Sequence, residues 1–213
     1  MRISHKNKFI FFSNPKTGSE SLREMLTPYS EVFDVPFKEA TNKFPYYSHI
    51  SPKEVKLIFE KEGLNFDEYY KIVCTRNPFN RLVSLYEMIY QNWPVKPPFY
   101  YWLKSTKPYG KGGGGKKTDR WRMYGTYALK NYISDDNGRV LVDKIICLEN
   151  FNTEIPKLFE QLHIPLPTDF KIVKKNVRKR SKPLSKYYSD KSKQLVYERY
   201  AWEINEFGYS FPG

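Results

Sequence analysis

Apolar residues recur along this chain in two rhythms, and the switches between them mark out the elements. Phe9-Ile-Phe-Phe12 is an unbroken apolar run, long enough for a buried strand and too short for a helix. Ser13-Asn14-Pro15 interrupts it, and Leu22, Met25 and Leu26 then recur at helical spacing, so the pattern predicts a strand, a tight loop and a helix. The same order returns later. Lys71 to Thr75 reads as a buried strand, Arg76-Asn77-Pro78 breaks away, and a helix follows from about Phe79 to Tyr90 with Leu82, Leu85, Tyr86 and Ile89 on its inner face. Between these units, Thr27 to Tyr47 reads as irregular chain with a short edge strand. Ser51-Pro52-Lys53-Glu54 then supplies an N-cap, a proline in the first turn and a capping-box glutamate. That start predicts a helix from about Pro52 to Glu62, with Val55, Ile58 and Phe59 inward and Gly63 ending it.

The second half continues the alternation. Trp121 to Ile133 reads as a helix, and Asp135-Asp-Asn-Gly138 as a turn. Val140 to Leu148 reads as a strand that ends at Glu149-Asn150-Phe151. A helix from about Thr153 to Leu162 follows, and Ser189 to Tyr209 reads as one docking helix closed by Gly208. Strands alternating with helices predict an α/β fold with a central parallel sheet flanked by helices. The length of 213 residues suits one domain spanning 1–213.

Composition sharpens this picture in three ways. Hydrophobic content of 40% is enough for a core, and 17% aromatic content makes parts of that core bulky and tyrosine-rich. The formal charge of +13 implies an anionic partner such as a nucleotide, nucleic acid, acidic glycan or membrane surface, or else a solvated basic face. Cys74 and Cys147 both lie in apolar runs, which favours free thiols over a disulfide. With His5, His49 and His163 far apart, no zinc spacing is present and no metal is expected. No apolar segment reaches the roughly 18–20 residues of a membrane span, and the short Phe9–Phe12 run does not make a signal peptide, so a cytoplasmic protein is expected. Gly110-Lys-Gly-Gly-Gly-Gly-Lys-Lys117, within a segment of about 107–118, reads as a flexible basic loop.

Two stretches carry candidate chemistry. Lys16-Thr17-Gly18-Ser19-Glu20-Ser21 sits between a predicted strand and helix. Free N–H groups at a helix N-terminus attract an anion, glycine permits close approach, and Lys16 and the hydroxyls add charge and donors. The stretch lacks the G-x-x-x-x-G-K-[ST] spacing of a nucleoside-triphosphate loop, and a plain βα turn with a serine cap accounts for it equally well. Arg76 leaves the end of the second strand, where open α/β sheets bind ligands, and Ser84 follows on the next helix. An arginine with a hydroxyl makes a phosphate clamp, although an arginine–carboxylate pair and a small packing serine fit the same residues.

Taken together and in order, Pro15-Lys-Thr-Gly-Ser-x-Ser21 and Thr75-Arg-Asn-Pro-Phe-x-Arg-Leu-Val-Ser84 resemble the sulfotransferase superfamily that uses 3′-phosphoadenosine 5′-phosphosulfate (PAPS). The resemblance is nearest to Golgi-type carbohydrate sulfotransferases and their bacterial and viral relatives. It extends through His49-Ile-Ser-x-x-Glu, the strand and turn from Val142-Asp143 to Glu149-Asn150-Phe151, and the closing Tyr187-Tyr188 and Phe207-Gly-Tyr-Ser-Phe211. It implies the nucleotide-kinase-like, P-loop-type fold of these enzymes, with PAPS as donor and no metal. It also implies that Lys16, Thr17, Gly18, Ser19 and Ser21 hold the 5′-phosphosulfate, while Arg76 and Ser84 hold the 3′-phosphate. Glu20 stands where the family often has Thr or Ser, so it faces outward or touches the adenosine or acceptor.

The expected activity is sulfuryl transfer from PAPS to an acceptor hydroxyl, with a glycan as the expected acceptor and no dedicated nucleic-acid partner. Lys16 is the expected charge stabiliser. His49 is the first candidate for the general base and Glu24 the second, against a loop-ordering histidine and a solvated helix glutamate. Glu149 is a third candidate, against a cap on the Asn150–Thr153 turn. Two other readings stand beside this one. The basic run from Lys171 to Lys186 and the many Tyr and Trp residues suit a nucleic-acid binder. A small-molecule kinase is the other, weakened by the missing Walker spacing.

Overall fold

The computed structural model describes residues 1–108, 124–167 and 182–212. Five strands form one sheet in the order β3-β1-β2-β4-β5: β1 (Arg2–Ser4), β2 (Phe9–Phe12), β3 (Val32–Phe33), β4 (Tyr70–Thr75) and β5 (Lys144–Cys147). The parallel core expected from the sequence is β2-β4-β5, in which Phe12 pairs with Val73 and Thr75 with Cys147. Two short antiparallel strands, β1 and β3, extend it on the β2 side. β1 lies outside the predicted elements, because a three-residue strand carries too little periodicity to register.

Side chains of a strand alternate between faces, and here both faces are covered. Phe9, Phe11, Ile72, Cys74 and Ile146 pack with Leu22 and Leu26 of α1 (Ser19–Leu26) and with Ile155, Leu158 and Phe159 of α6 (Phe151–Gln161). Ile10, Phe12 and Val73 pack on the other face with Val55 and Phe59 of α2 (Pro52–Lys61) and Leu129, Tyr132 and Ile133 of α5 (Leu129–Ile133). Double coverage is why these strands read as continuous apolar runs. A second core joins α3 (Pro78–Ile89), α4 (Phe99–Ser105), α7 (Asp190–Arg199) and α8 (Ala201–Phe207). Both cysteines are free thiols. Cys74 pairs across the sheet with Ile146, and Cys147 with Thr75. The two thiols therefore point to opposite faces of the sheet, which rules out a bridge between them.

Three expected elements differ in the structure. The helix expected over Trp121–Ile133 has its first residues outside the described chain, and its described part is helical again only from Leu129. Before it, the Thr126 hydroxyl donates to Lys107 O (3.0 Å) and Ala128 N–H donates to Pro108 O (2.9 Å). Those bonds to a remote segment replace the helical ladder. The strand expected from Val140 begins only at Lys144, because Leu141 N–H is taken by Ile133 O. The single terminal helix is instead two helices broken at Tyr200. The Tyr200 side chain is drawn into the core, with its hydroxyl on Thr126 O (2.7 Å) and the Arg81 guanidinium over its ring. The Gly110–Lys117 loop and most of the Lys171–Lys186 run lie outside the described residues. Among the described residues no helix is long and apolar enough to cross a membrane.

Candidate functional site

Three chain segments leave the same edge of the parallel core: Ser13–Gly18 after β2, Arg76–Asn77 after β4, and Leu148–Asn150 after β5. This carboxyl edge is where open α/β sheets hold ligands.

The first segment is a tight loop that leads into α1. Lys16 and Gly18 both have left-handed backbones (φ 65 and 76) while Thr17 does not. Residues of alternating hand turn successive N–H groups toward one concave side. Gly18 is the N-cap of α1 and makes no side-chain cap bond, so the first-turn N–H groups of α1 have no capping side chain at that position. A Cβ at Gly18 would crowd Leu148 Cδ1, so both backbone conformation and space favour glycine here. The Thr17 and Ser19 hydroxyls donate to Asn14 O (2.7 and 3.2 Å). They brace the loop from within. Ser21 is buried and its N–H donates to Gly18 O (3.2 Å), whereas Glu20 is exposed in the first turn of α1. Lys16 Nζ lies 3.5 Å from Met88 Sδ on α3, a weak acceptor that an anionic oxygen outcompetes.

His49 is brought to the same loop. Its Nδ1 is 2.5 Å from Ser13 O. A carbonyl only accepts, so Nδ1 carries the hydrogen and Nε2 carries the lone pair. Burial pulls this imidazole down to about 4, only partly countered by the hydrogen bond to Ser13, so it is neutral at physiological pH. His49 also has a left-handed backbone (φ 66). Among the described residues four non-glycines share that conformation, and Lys16 and His49 are two of them. Such backbones cost about 1–2 kcal/mol each, and here two of them are spent on neighbouring polar residues of one loop cluster. The pattern of residues along the chain carries no signal of this.

Glu24 sits apart from that cluster, exposed on α1 near its C-terminal end. At about 1.5 Å rise per residue it stands about 7.5 Å along the axis from Ser19.

Arg76 follows β4 directly and is partly exposed. Ser84, also partly exposed, lies on α3. The turn between them is held by Asn77, whose side chain accepts from Phe79 N (3.0 Å) as the N-cap of α3, with Pro78 in the first turn. Glu149 does not cap its own turn. Its carboxylate accepts from Asn77 N–H (3.0 Å) and the Tyr209 hydroxyl (3.1 Å). Arg81, within the second motif, is fully buried and pairs with the fully buried Glu203 of α8 (3.3 Å). It holds the terminal helices to α3, a role that only tertiary contact reveals.

Among curated proteins, none matches this chain. The crystal structure of mouse sulfotransferase SULT7A1 complexed with PAP is similar over 95% of this chain and 85% of that one, at 14% identity and a TM-score of 0.47. That similarity is too low to locate any residue. The family model described as "Sulfotransferase family" matches residues 1–127, a stretch that contains the Lys16 loop, His49 and the Arg76–Ser84 turn. With more than half of its length matched and its motifs on adjacent parallel strands, the chain belongs to the sulfotransferase family, within the PAPS-dependent superfamily that those motifs resemble.

Proposed function

We propose that this protein transfers a sulfuryl group from PAPS to a hydroxyl of a carbohydrate acceptor. One observation carries the reading: an anion-shaped loop with Lys16 and an arginine-bearing turn leave neighbouring parallel strands at one sheet edge, with a neutral histidine seated on the loop. The phosphosulfate group fits this cradle, since Gly18 leaves α1 without a side-chain cap and the loop turns its own hydroxyls inward. In this reading the segment Lys16 to Ser21, including Glu20 at its rim, takes the 5′-phosphosulfate end of the donor. Arg76 and Ser84 take its 3′-phosphate.

Bound PAPS supplies an activated sulfuryl group. Catalysis then rests on positioning and charge, as in phosphoryl transfer. His49 Nε2 takes the hydroxyl proton as the acceptor oxygen bonds to sulfur; held down to about 4, it is always unprotonated at neutral pH but a weak base, so positioning carries more of the rate than proton transfer. Lys16 stabilises the charge left on the phosphate oxygen as its bond to sulfur breaks. Ser13 O holds the imidazole in the tautomer this needs. Glu24 is the second candidate for the base; its exposed place on α1 makes it the weaker one.

The acceptor reading draws on the neighbouring segment. Trp93 is 58% exposed and Tyr101 66%, although Tyr86 pins this segment through Pro97 O (2.6 Å) and Glu87 through Lys96 (2.7 Å). From Met88 to Pro108 the chain carries Lys96, Lys104 and Lys107 and no acidic residue. Exposed aromatic faces held in place suit sugar rings, and the lysines Lys104 and Lys107, with Lys96 paired to Glu87, suit an acidic glycan.

Calorimetric titration with 3′,5′-adenosine bisphosphate (PAP) tests the reading. Micromolar binding that is lost in Lys16→Ala and Arg76→Ala, with ATP binding much more weakly, is expected. A well-folded wild type that binds no PAP would overturn it.

A further inference from the structure

After α8 the chain turns back and Tyr209–Phe211 lie against the turn that carries Arg76. Gly208 closes the helix with φ 62, and the next three residues form a strap. The Tyr209 hydroxyl donates to Glu149 Oε2 (3.1 Å), and the other oxygen of that carboxylate accepts from Asn77 N–H (3.0 Å). Asn77 Nδ2 donates to Ser210 O (2.8 Å). The Phe211 ring meets Phe79 and Tyr188 edge to face, with centroids 5.2 and 5.4 Å apart. Asn77 is therefore gripped by segments 72 and 133 residues away in sequence. Glu149 itself follows Leu148, the residue that lies against Gly18.

The grip falls on a particular bond. Arg76 Cα, its carbonyl and Asn77 N–H lie in one peptide plane. On its other side Arg76 is continuous with β4, whose last residue pairs with Cys147. The hydrogen bond from Asn77 N–H to Glu149 consequently sets the rotation of the plane that follows Arg76. With Thr75 held in β4 on one side and Asn77 N–H held by Glu149 on the other, φ and ψ of Arg76 are restricted together; φ sets the direction of its Cα–Cβ bond, and a displacement of about 1 Å at the guanidinium is enough to lose a well-placed contact.

We propose that Tyr209 and Glu149 are positioning residues that aim Arg76 at the 3′-phosphate of the donor, so that the carboxyl-terminal strap contributes to recognition of that phosphate without touching it. The proposal rests on the reading of Arg76 given above. It makes donor selectivity a property of the tail: the strap acts on the 3′ end of the nucleotide, and the Lys16 loop on the 5′ end.

The discriminating measurement is the ratio of affinities for PAP and for adenosine 5′-monophosphate, which lacks the 3′-phosphate. It is taken by calorimetry on wild type, Tyr209→Phe, Glu149→Gln and Arg76→Ala, with thermal melts alongside. Tyr209→Phe keeps the ring and removes only the hydroxyl, which donates to Glu149 and also lies beside the Cys147 thiol, so it is the variant least able to disturb folding. Arg76→Ala is expected to collapse the ratio. Tyr209→Phe and Glu149→Gln are expected to lower PAP affinity about fivefold each, the size of one hydrogen bond, and to leave monophosphate affinity unchanged. Equal losses for both nucleotides would mean general loosening and overturn the proposal, as would no loss for either. If Arg76→Ala collapses the ratio and the other two variants do not, the strap proposal alone fails. If Arg76→Ala leaves the ratio at its wild-type value, the reading of Arg76 fails and takes the proposal with it.

Discussion

Replacing Gly18 by alanine perturbs the anion loop at the point where backbone conformation and packing coincide. The left-handed backbone at φ 76 costs a residue with a Cβ about 1–2 kcal/mol. The new methyl would also crowd Leu148 Cδ1 and stand 3.3 Å from its Cδ2 and Cγ. Carbon atoms settle at about 3.5–4.0 Å, so either the Leu148 side chain rotates away or the first turn of α1 moves, at about 1–3 kcal/mol for an overpacked site. The sum, about 2–5 kcal/mol, corresponds to a fall in Tm of about 4–20 °C for a chain of this size. The assay is scanning calorimetry and PAP titration on Gly18→Ala, Leu148→Ala and the double variant. Leu148→Ala relieves the overlap and leaves the backbone cost, so the double variant is expected to be more stable than the two single effects predict by about 1–3 kcal/mol. PAP affinity is expected to stay low in the double variant, because the N–H groups are set by the backbone and not by Leu148. A Gly18→Ala protein that melts within about 2 °C of wild type and binds PAP normally would refute the assignment of this glycine to the loop's geometry.

Three further outcomes follow from buried ionisable groups. His49 is held down to about 4 by burial against an ordinary value of about 6.5. Between those values the unfolded chain binds a proton that the folded chain does not, so stability contributed by this group is present above about pH 6.5 and is lost as pH falls toward 4, by up to about 3 kcal/mol. Urea unfolding at pH 7 and pH 4.5 is expected to show a smaller pH dependence in His49→Gln than in wild type, and an identical dependence would contradict the burial of this ring. The acid limb of kcat/KM is expected below pH 5, and a limb at pH 6–7 would point to another base. Glu203→Gln leaves the buried Arg81 charge without its carboxylate, an effect of about 3–5 kcal/mol, read as a fall in Tm. A shift of less than about 2 °C would show that the pair does not hold α7 and α8 to the domain.

The local chemistry of this chain was legible before its fold. The apolar runs Phe9–Phe12 and Lys71–Thr75, the capping box at Ser51 and Glu54, and the helical spacing after Pro78 each depend on neighbours a few residues apart, and each forms where the pattern places it. Lys16 and Arg76 could be named as anion-site candidates because each follows a strand and precedes a helix, an order written in the sequence. What tertiary structure decided lies at long range. The break at Tyr200, the interrupted helix before Leu129 and the shortened β5 arise where contacts between remote segments outcompete local hydrogen bonding. The tautomer and depressed proton affinity of His49 depend on a carbonyl 36 residues away and on burial that no window of sequence encodes. Glu149 illustrates the difference most directly. By sequence it caps its own turn, and in space its carboxylate joins the Arg76 turn to the carboxyl-terminal strap, because a polar group at a strand end takes the donors that folding places there.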